Sequence, residues 1–143
     1  MRKFVLMVLA AAGMLVAGAS ASSANALVAR IDVSSQTMIV SRHGRVLYTW
    51  PVSTARSGYV TPRGQYQPTR MHKMWHSRKY DMSPMPYSIF FRGGYAIHGT
   101  NYVKQLGRPA SHGCVRLHTA NAATLYSLVK EVGAGNTKIV VMN

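Results

Sequence analysis

The chain has 143 residues, 48% of them hydrophobic, with 17 basic side chains against three acidic ones, six histidines and one cysteine. Once an N-terminal export segment is set aside, that length is enough for one domain with one core and too short for two. A lone cysteine excludes an internal disulfide, and basic residues scattered singly, with no arginine-rich tract or recognisable nucleic-acid module, argue against nucleic acid as the partner.

Arg2 and Lys3 open the chain, and the apolar run from Phe4 to Ala19 is too short and too rich in Ala and Gly for a membrane span. This reads as a signal peptide over residues 1–26. Ala24-Asn25-Ala26 fits the small-x-small rule, placing cleavage after Ala26, with Ala21 as second choice through Ala19-Ser20-Ala21. No cysteine lies near, so lipid attachment there is excluded. The exported domain, 27–143, keeps fifteen basic residues against Asp32, Asp81 and Glu131, a net charge of about +12. Such charge aids solubility and draws the domain toward anions outside the cytoplasm: wall polymers, acidic peptides or lipid headgroups.

Residues 30–34 and 37–41 have the character of short strands, residues 42–45 that of a turn, and residues 46–50 that of the return strand. Thr61-Pro62-Arg63-Gly64 is a turn leading into a possible strand at residues 65–68. Met71 to Pro86 shows no clear period and is expected to be a long surface excursion of the kind that walls active sites. Tyr87 to Phe91 resumes β character. Tyr95-Ala96-Ile97-His98 alternates, which puts Tyr95 and Ile97 on one face and His98 on the other. One helix is expected late, capped by Thr119 or Asn121, with Leu125, Leu128, Val129 and Val132 at helical spacing and Gly133 at its end. Residues 137–142 close the domain as a strand. The sum is a mainly β domain.

The chemistry centres on Ser111-His112-Gly113-Cys114-Val115-Arg116. An unpaired thiol in an exported protein is either buried packing or a reactive group, and its polar, glycine-containing surroundings favour reactivity. If the segment is extended, His112 and Arg116 share a face with Cys114, and Gly113 lets the backbone turn its N–H groups toward an oxyanion. A thiol nucleophile needs a base, and histidine suits proton transfer near neutrality. His43 sits in a turn and His118 just before the helix. His72 and His76 have the i,i+4 spacing of a metal pair but lack the glutamate of H-E-x-x-H, because Lys73 follows His72. His98 and His112 remain. The base needs an orienting acceptor, which is Asp32, Asp81 or a backbone carbonyl, that of Gly99 being nearest.

His98-Gly99, the sixteen-residue step to Cys114 and the Ser111–Arg116 block together resemble the signature of the L,D-transpeptidase catalytic domain, or YkuD domain. Thr61-Pro62-Arg63-Gly64-Gln65-Tyr66 resembles the family's T-P-x-G-x-[FY] turn, and the likeness runs from about Val28 to Val141. Arg116 stands where some members carry Asn. The resemblance implies a β-sandwich with one helix near the C-terminus, acting in the periplasm or cell envelope without metal or cofactor. It implies Cys114 as nucleophile, His98 as base, Gly99 as its orienting carbonyl, and Gly113, His112 and Ser111 as loop and oxyanion support. Arg116 would hold the loop or a substrate carboxylate. The implied reaction is thioester acyl transfer from a tetrapeptide stem of peptidoglycan, releasing D-alanine, to an amine of another stem or of an envelope protein. The alternatives are a hydrolytic relative using water, a non-catalytic wall-binding module and, more remotely, a zinc protein using His72, His76 and Cys114.

Overall fold

Alternation decides the first sheet. The computed structural model describes residues 26–143, so the expected signal peptide lies outside the described residues apart from Ala26. In β1 (Leu27–Asp32) every second side chain, Leu27, Ala29 and Ile31, is sealed from solvent. The strand starts and ends earlier than its sequence suggests, because Asp32 Oδ1 accepts hydrogen bonds from the N–H groups of Ser34 (2.9 Å) and Ser35 (3.3 Å) and turns the chain. Antiparallel β2 (Thr37–Arg42) follows, then β3 (Arg45–Pro51) across a two-residue turn in which His43 and Gly44 both have positive φ (50° and 77°). Short β4 (Gly64–Tyr66) and the closing β9 (Thr137–Met142) complete the sheet, in the order β3-β2-β1-β9-β4. β9 runs parallel to β1, Thr137 opposite Leu27 and Met142 opposite Asp32.

The second sheet has the order β5-β6-β7-β8, comprising β5 (Arg70–Ser77), β6 (Ser83–Arg92), β7 (Tyr95–Thr100) and β8 (Val115–His118). The expected surface excursion from Met71 to Pro86 is therefore most of a long hairpin. Its period is hidden because β5 is an edge strand with no fully buried side chain and Pro84 and Pro86 interrupt the start of β6; beyond it, alternation breaks at Tyr87, whose φ is +53°. Tyr87, Ile89 and Phe91 face the main core, whereas Phe90 and Met85, an odd number of residues apart, pack together on the other face.

One α-helix, α1 (Thr119–Val132), occurs among the described residues; it packs on β6 and β7 and buries Ala122, Leu125 and Val129. Its cap is neither Thr119 nor Asn121. His118 Nδ1 accepts from the Ala120 N–H at 3.2 Å, while the Thr119 hydroxyl reaches back to the Thr100 carbonyl at 3.4 Å. The helix ends at Gly133, φ 91°. The two sheets and this helix enclose one core, as expected of a mainly β sandwich. A smaller cluster of Met85, Phe90 and Ala96, joined by Trp75 and Cys114, lies on the outer face of the second sheet. No described helix is long and apolar enough to cross a membrane.

Candidate active site

β7 and β8 bring distant residues together. They pair in parallel with His98 opposite Arg116 and Ile97 opposite Val115. Cys114 directly precedes β8, so it falls on the Arg116 side, diagonal to His98. Sixteen residues of sequence thus become a step between neighbouring strands, which lie about 5 Å apart. As expected from the alternation, Tyr95 and Ile97 point to the core while Ala96 and His98 share the outer face.

His98 is buried, and its Nδ1 lies 2.7 Å from the Gly99 carbonyl oxygen. A carbonyl can only accept, so Nδ1 carries the proton and Nε2 keeps its lone pair for a substrate or thiol proton. Burial pushes the pKa of His98 down to about 4, with Arg116 adding to the effect and the Gly99 bond opposing it. Neither aspartate fills the orienting role: Asp32 serves its turn, and Asp81 sits at the tip of the β5–β6 hairpin. Gly99 itself admits no side chain, because a Cβ there would lie 2.9 Å from Thr119 Cα and 2.8 Å from its hydroxyl, where α1 begins.

Cys114 is half-buried, and its thiol points at the Gly94 carbonyl at 3.8 Å. Burial raises its pKa above the ordinary thiol value, offset in part by the Ala96 amide and Arg116. The polar sequence around Cys114 gave no hint of this, because the apolar wall comes from Trp75 and Met85 on the hairpin. At neutral pH the Cys114 thiol and the His98 imidazole are therefore both uncharged.

The loop before Cys114 is braced from several sides. The chain is bent over 112–114, not extended, which takes His112 out of line with Cys114 and Arg116. Ser111 Oγ donates to the Cys114 carbonyl (2.6 Å) and accepts from the Gly113 N–H (3.0 Å). The Gly113 amide is thus occupied by the Ser111 hydroxyl. Thr61, from the Thr61-Pro62-Arg63-Gly64 turn, donates to the Gly113 carbonyl at 2.9 Å and accepts from the Ala55 N–H at 3.0 Å. Gly113 has φ 133°, and a Cβ there would meet the Tyr95 ring at 2.6 Å.

His112 lies between the rings of Tyr59 (4.7 Å) and Tyr80 (4.2 Å), tying the loop to the hairpin tip. Its pKa is lowered by desolvation and by Arg56, Arg116 and Lys79. Arg116 donates to Gln105 Oε1 at 3.2 Å, on the 3-10 turn at Val103–Gln105 between β7 and β8, while its backbone exchanges hydrogen bonds with Ser53. Burial lowers its pKa, and the nearby Cys114 opposes the shift.

The remaining histidines lie elsewhere. His72 and His76 share a strand, where i,i+4 means about 13 Å, too far for one metal ion. His72 instead meets Arg70 and Trp75. Two surface hollows, of about 340 and 590 Å³, do not include Cys114; the first borders its loop through Tyr59 and Thr61, and the second lies by Tyr87 and Tyr126. Sequence reasoning missed Tyr59, Trp75, Tyr80 and Met85. Tyr59 stands two residues before the Thr61 turn, but nothing in the sequence links Tyr80 to His112.

The sequence profile of the L,D-transpeptidase catalytic domain, YkuD, matches residues 27–141. A putative L,D-transpeptidase YkuD of Bacillus subtilis is 25% identical over 104 residues, covering 69% of this chain and 58% of that protein. The chain thus spans under two thirds of the length of the curated relatives it matches. Among solved structures, an L,D-transpeptidase from Mycobacterium smegmatis superposes with a TM-score of 0.75 at 23% identity, covering 82% of this chain and 59% of that one. One from Xylanimonas cellulosilytica gives 0.72 at 28% identity, covering 84% and 62%.

Proposed function

The chain belongs to the YkuD family of L,D-transpeptidase catalytic domains, and from that premise we propose that it is an exported cysteine acyltransferase acting on peptidoglycan stem peptides. The observation that carries the reading is His98, held by the Gly99 carbonyl with Nε2 unprotonated, on the sheet face that also bears Cys114. Because burial keeps both thiol and imidazole uncharged, His98 takes the thiol proton as Sγ attacks, and no preformed ion pair is needed.

Sγ adds to the carbonyl of the third stem residue, a diamino acid. The Cys114 N–H, the amide not bonded to Ser111, is the donor for the developing oxyanion; one such donor is worth about 3 kcal/mol. Protonated His98 gives its proton to the departing D-alanine nitrogen, the C–N bond breaks, and a thioester remains. An acceptor amine, deprotonated by His98, then attacks the thioester and restores the thiol. With a second stem as acceptor the product is a 3→3 cross-link; with an envelope protein it is an anchor; with water it is a free tripeptide. Removal of residues 1–26 in transit would place this chemistry in the periplasm or cell envelope.

Mass spectrometry of stem tetrapeptides incubated with the protein, with and without an acceptor amine, tests the reading. A 3→3 dimer is the expected product and tripeptide alone would make the protein a carboxypeptidase. Unchanged tetrapeptide, with no adduct on Cys114 after carbapenem treatment, would point to a non-catalytic wall-binding module and overturn the proposal.

A further inference from the structure

The surface beside Cys114 concentrates positive charge with no carboxylate bonded to it. The Arg56 guanidinium lies 5.1 Å from the Tyr59 ring centre and the Lys79 ammonium 5.5 Å from that of Tyr80, so each of the two tyrosines that meet His112 also carries a cation. Arg116 stands next to Cys114, and Arg56 is near enough to disfavour its charge. Arg56, Lys79 and Arg116 all act on His112. Of the three acids, Asp32 is engaged in its turn, Glu131 pairs with Arg42 at 3.1 Å, and Asp81, two residues from Lys79, forms no ion pair. Three cations gathered without an anionic partner repel one another, and an anion placed among them relieves that repulsion. Seating two of them on aromatic rings also restricts the side chains before any ligand arrives.

We propose that this rim reads charge: the site takes stem peptides whose carboxylates are free and discriminates against the same stems with those carboxylates capped as amides, Arg56 and Lys79 being the residues that sense the difference. The inference rests on the reading of Cys114 as an acyl-transfer nucleophile for stem peptides. It adds to that reading two side chains, from the 54–61 loop and the hairpin tip, that the chemistry itself does not require. Both are exposed, so their substitution spares the core.

The experiment is equilibrium binding of two synthetic tetrapeptide stems, free-acid and amidated, to the Cys114→Ala protein, beside turnover of both by the unmodified chain. The free-acid stem is expected to bind about tenfold tighter. Arg56→Gln with Lys79→Gln should reduce that ratio to within about twofold, while Arg56→Lys and Lys79→Arg preserve it. Arg45→Gln with Lys130→Gln, which removes the same charge far from the site, should leave the ratio unchanged and so separates local reading from long-range attraction. Equal affinity for the two stems, failure of the free-acid stem to bind, or a ratio that survives Arg56→Gln with Lys79→Gln overturns the inference. Charge-selective binding without any turnover by the unmodified chain overturns the acyl-transfer reading and leaves the charge reading standing.

Discussion

Ile97 and His98 are neighbours in the chain and face opposite sides of the same sheet. Ile97 is sealed in the core with Val115 and Leu117, residues that offer only shape and apolar area. His98 looks outward toward the side of Cys114 and Arg116, both of them only partly buried. The inner face gains stability by excluding water, whereas on the outer face a smaller apolar cluster desolvates the thiol, and burial keeps thiol and imidazole alike uncharged. Burial on one face is the source of the fold, and on the other it sets protonation states.

Substitutions on the two faces should separate these roles. The largest effect is expected from Cys114→Ala, which should abolish turnover while leaving the thermal unfolding midpoint within a few degrees of the parent, because one thiol contributes little packing; cross-linking retained by that variant would remove Cys114 from the chemistry. His98→Ala should lower kcat by about 10²–10⁴-fold, measured on stem tetrapeptide under saturating conditions. A loss confined to KM would assign His98 to binding instead. On the inner face, Ile97→Ala should cost roughly 2–5 kcal/mol in urea denaturation but leave kcat per folded molecule nearly intact. Should kcat fall in step with stability, the two faces are not separable.

The smallest effect is a pH dependence. Folding lowers the pKa of His98 from 6.5 to about 4, so between these values the unfolded chain binds the extra proton. The stability this neutral histidine permits is complete above pH 6.5 and drains away as the pH falls toward 4, by about 2 kcal/mol at pH 5. His112 acts in the same direction. Chemical denaturation of the parent and of His98→Gln across pH 5 to 7.5 checks this: the parent should lose stability more steeply on acidification. Parallel curves would mean that His98 is not held neutral by the fold.

Much of the architecture could be read from local pattern. The strand at residues 37–41, the two-residue His43-Gly44 turn and the helical stripe through Leu125 and Val129 are short-range consequences of period and turn chemistry. The β5 arm of the hairpin was not legible, because an edge strand that fully buries no side chain shows no apolar alternation, and Pro84 and Pro86 interrupt the returning β6. The helix cap was misplaced by one residue at Thr119 and by three at Asn121, since His118 competes as acceptor with these commoner capping residues.

The sequence by itself determined the chemical vocabulary: one thiol, a histidine on the polar side of an alternating strand, a glycine-bearing loop and a surplus of positive charge. These follow from residue type and spacing, which one segment carries alone. Only the tertiary structure decided which groups meet and in what protonation state. The parallel register of β7 and β8 placed His98 diagonal to Cys114, and the bend at 112–114 sent His112 to Tyr59 and Tyr80 instead. The hairpin supplied the apolar wall that raises the thiol pKa. Desolvation and strand register depend on atoms brought from distant parts of the chain, and for that reason no local pattern encodes them.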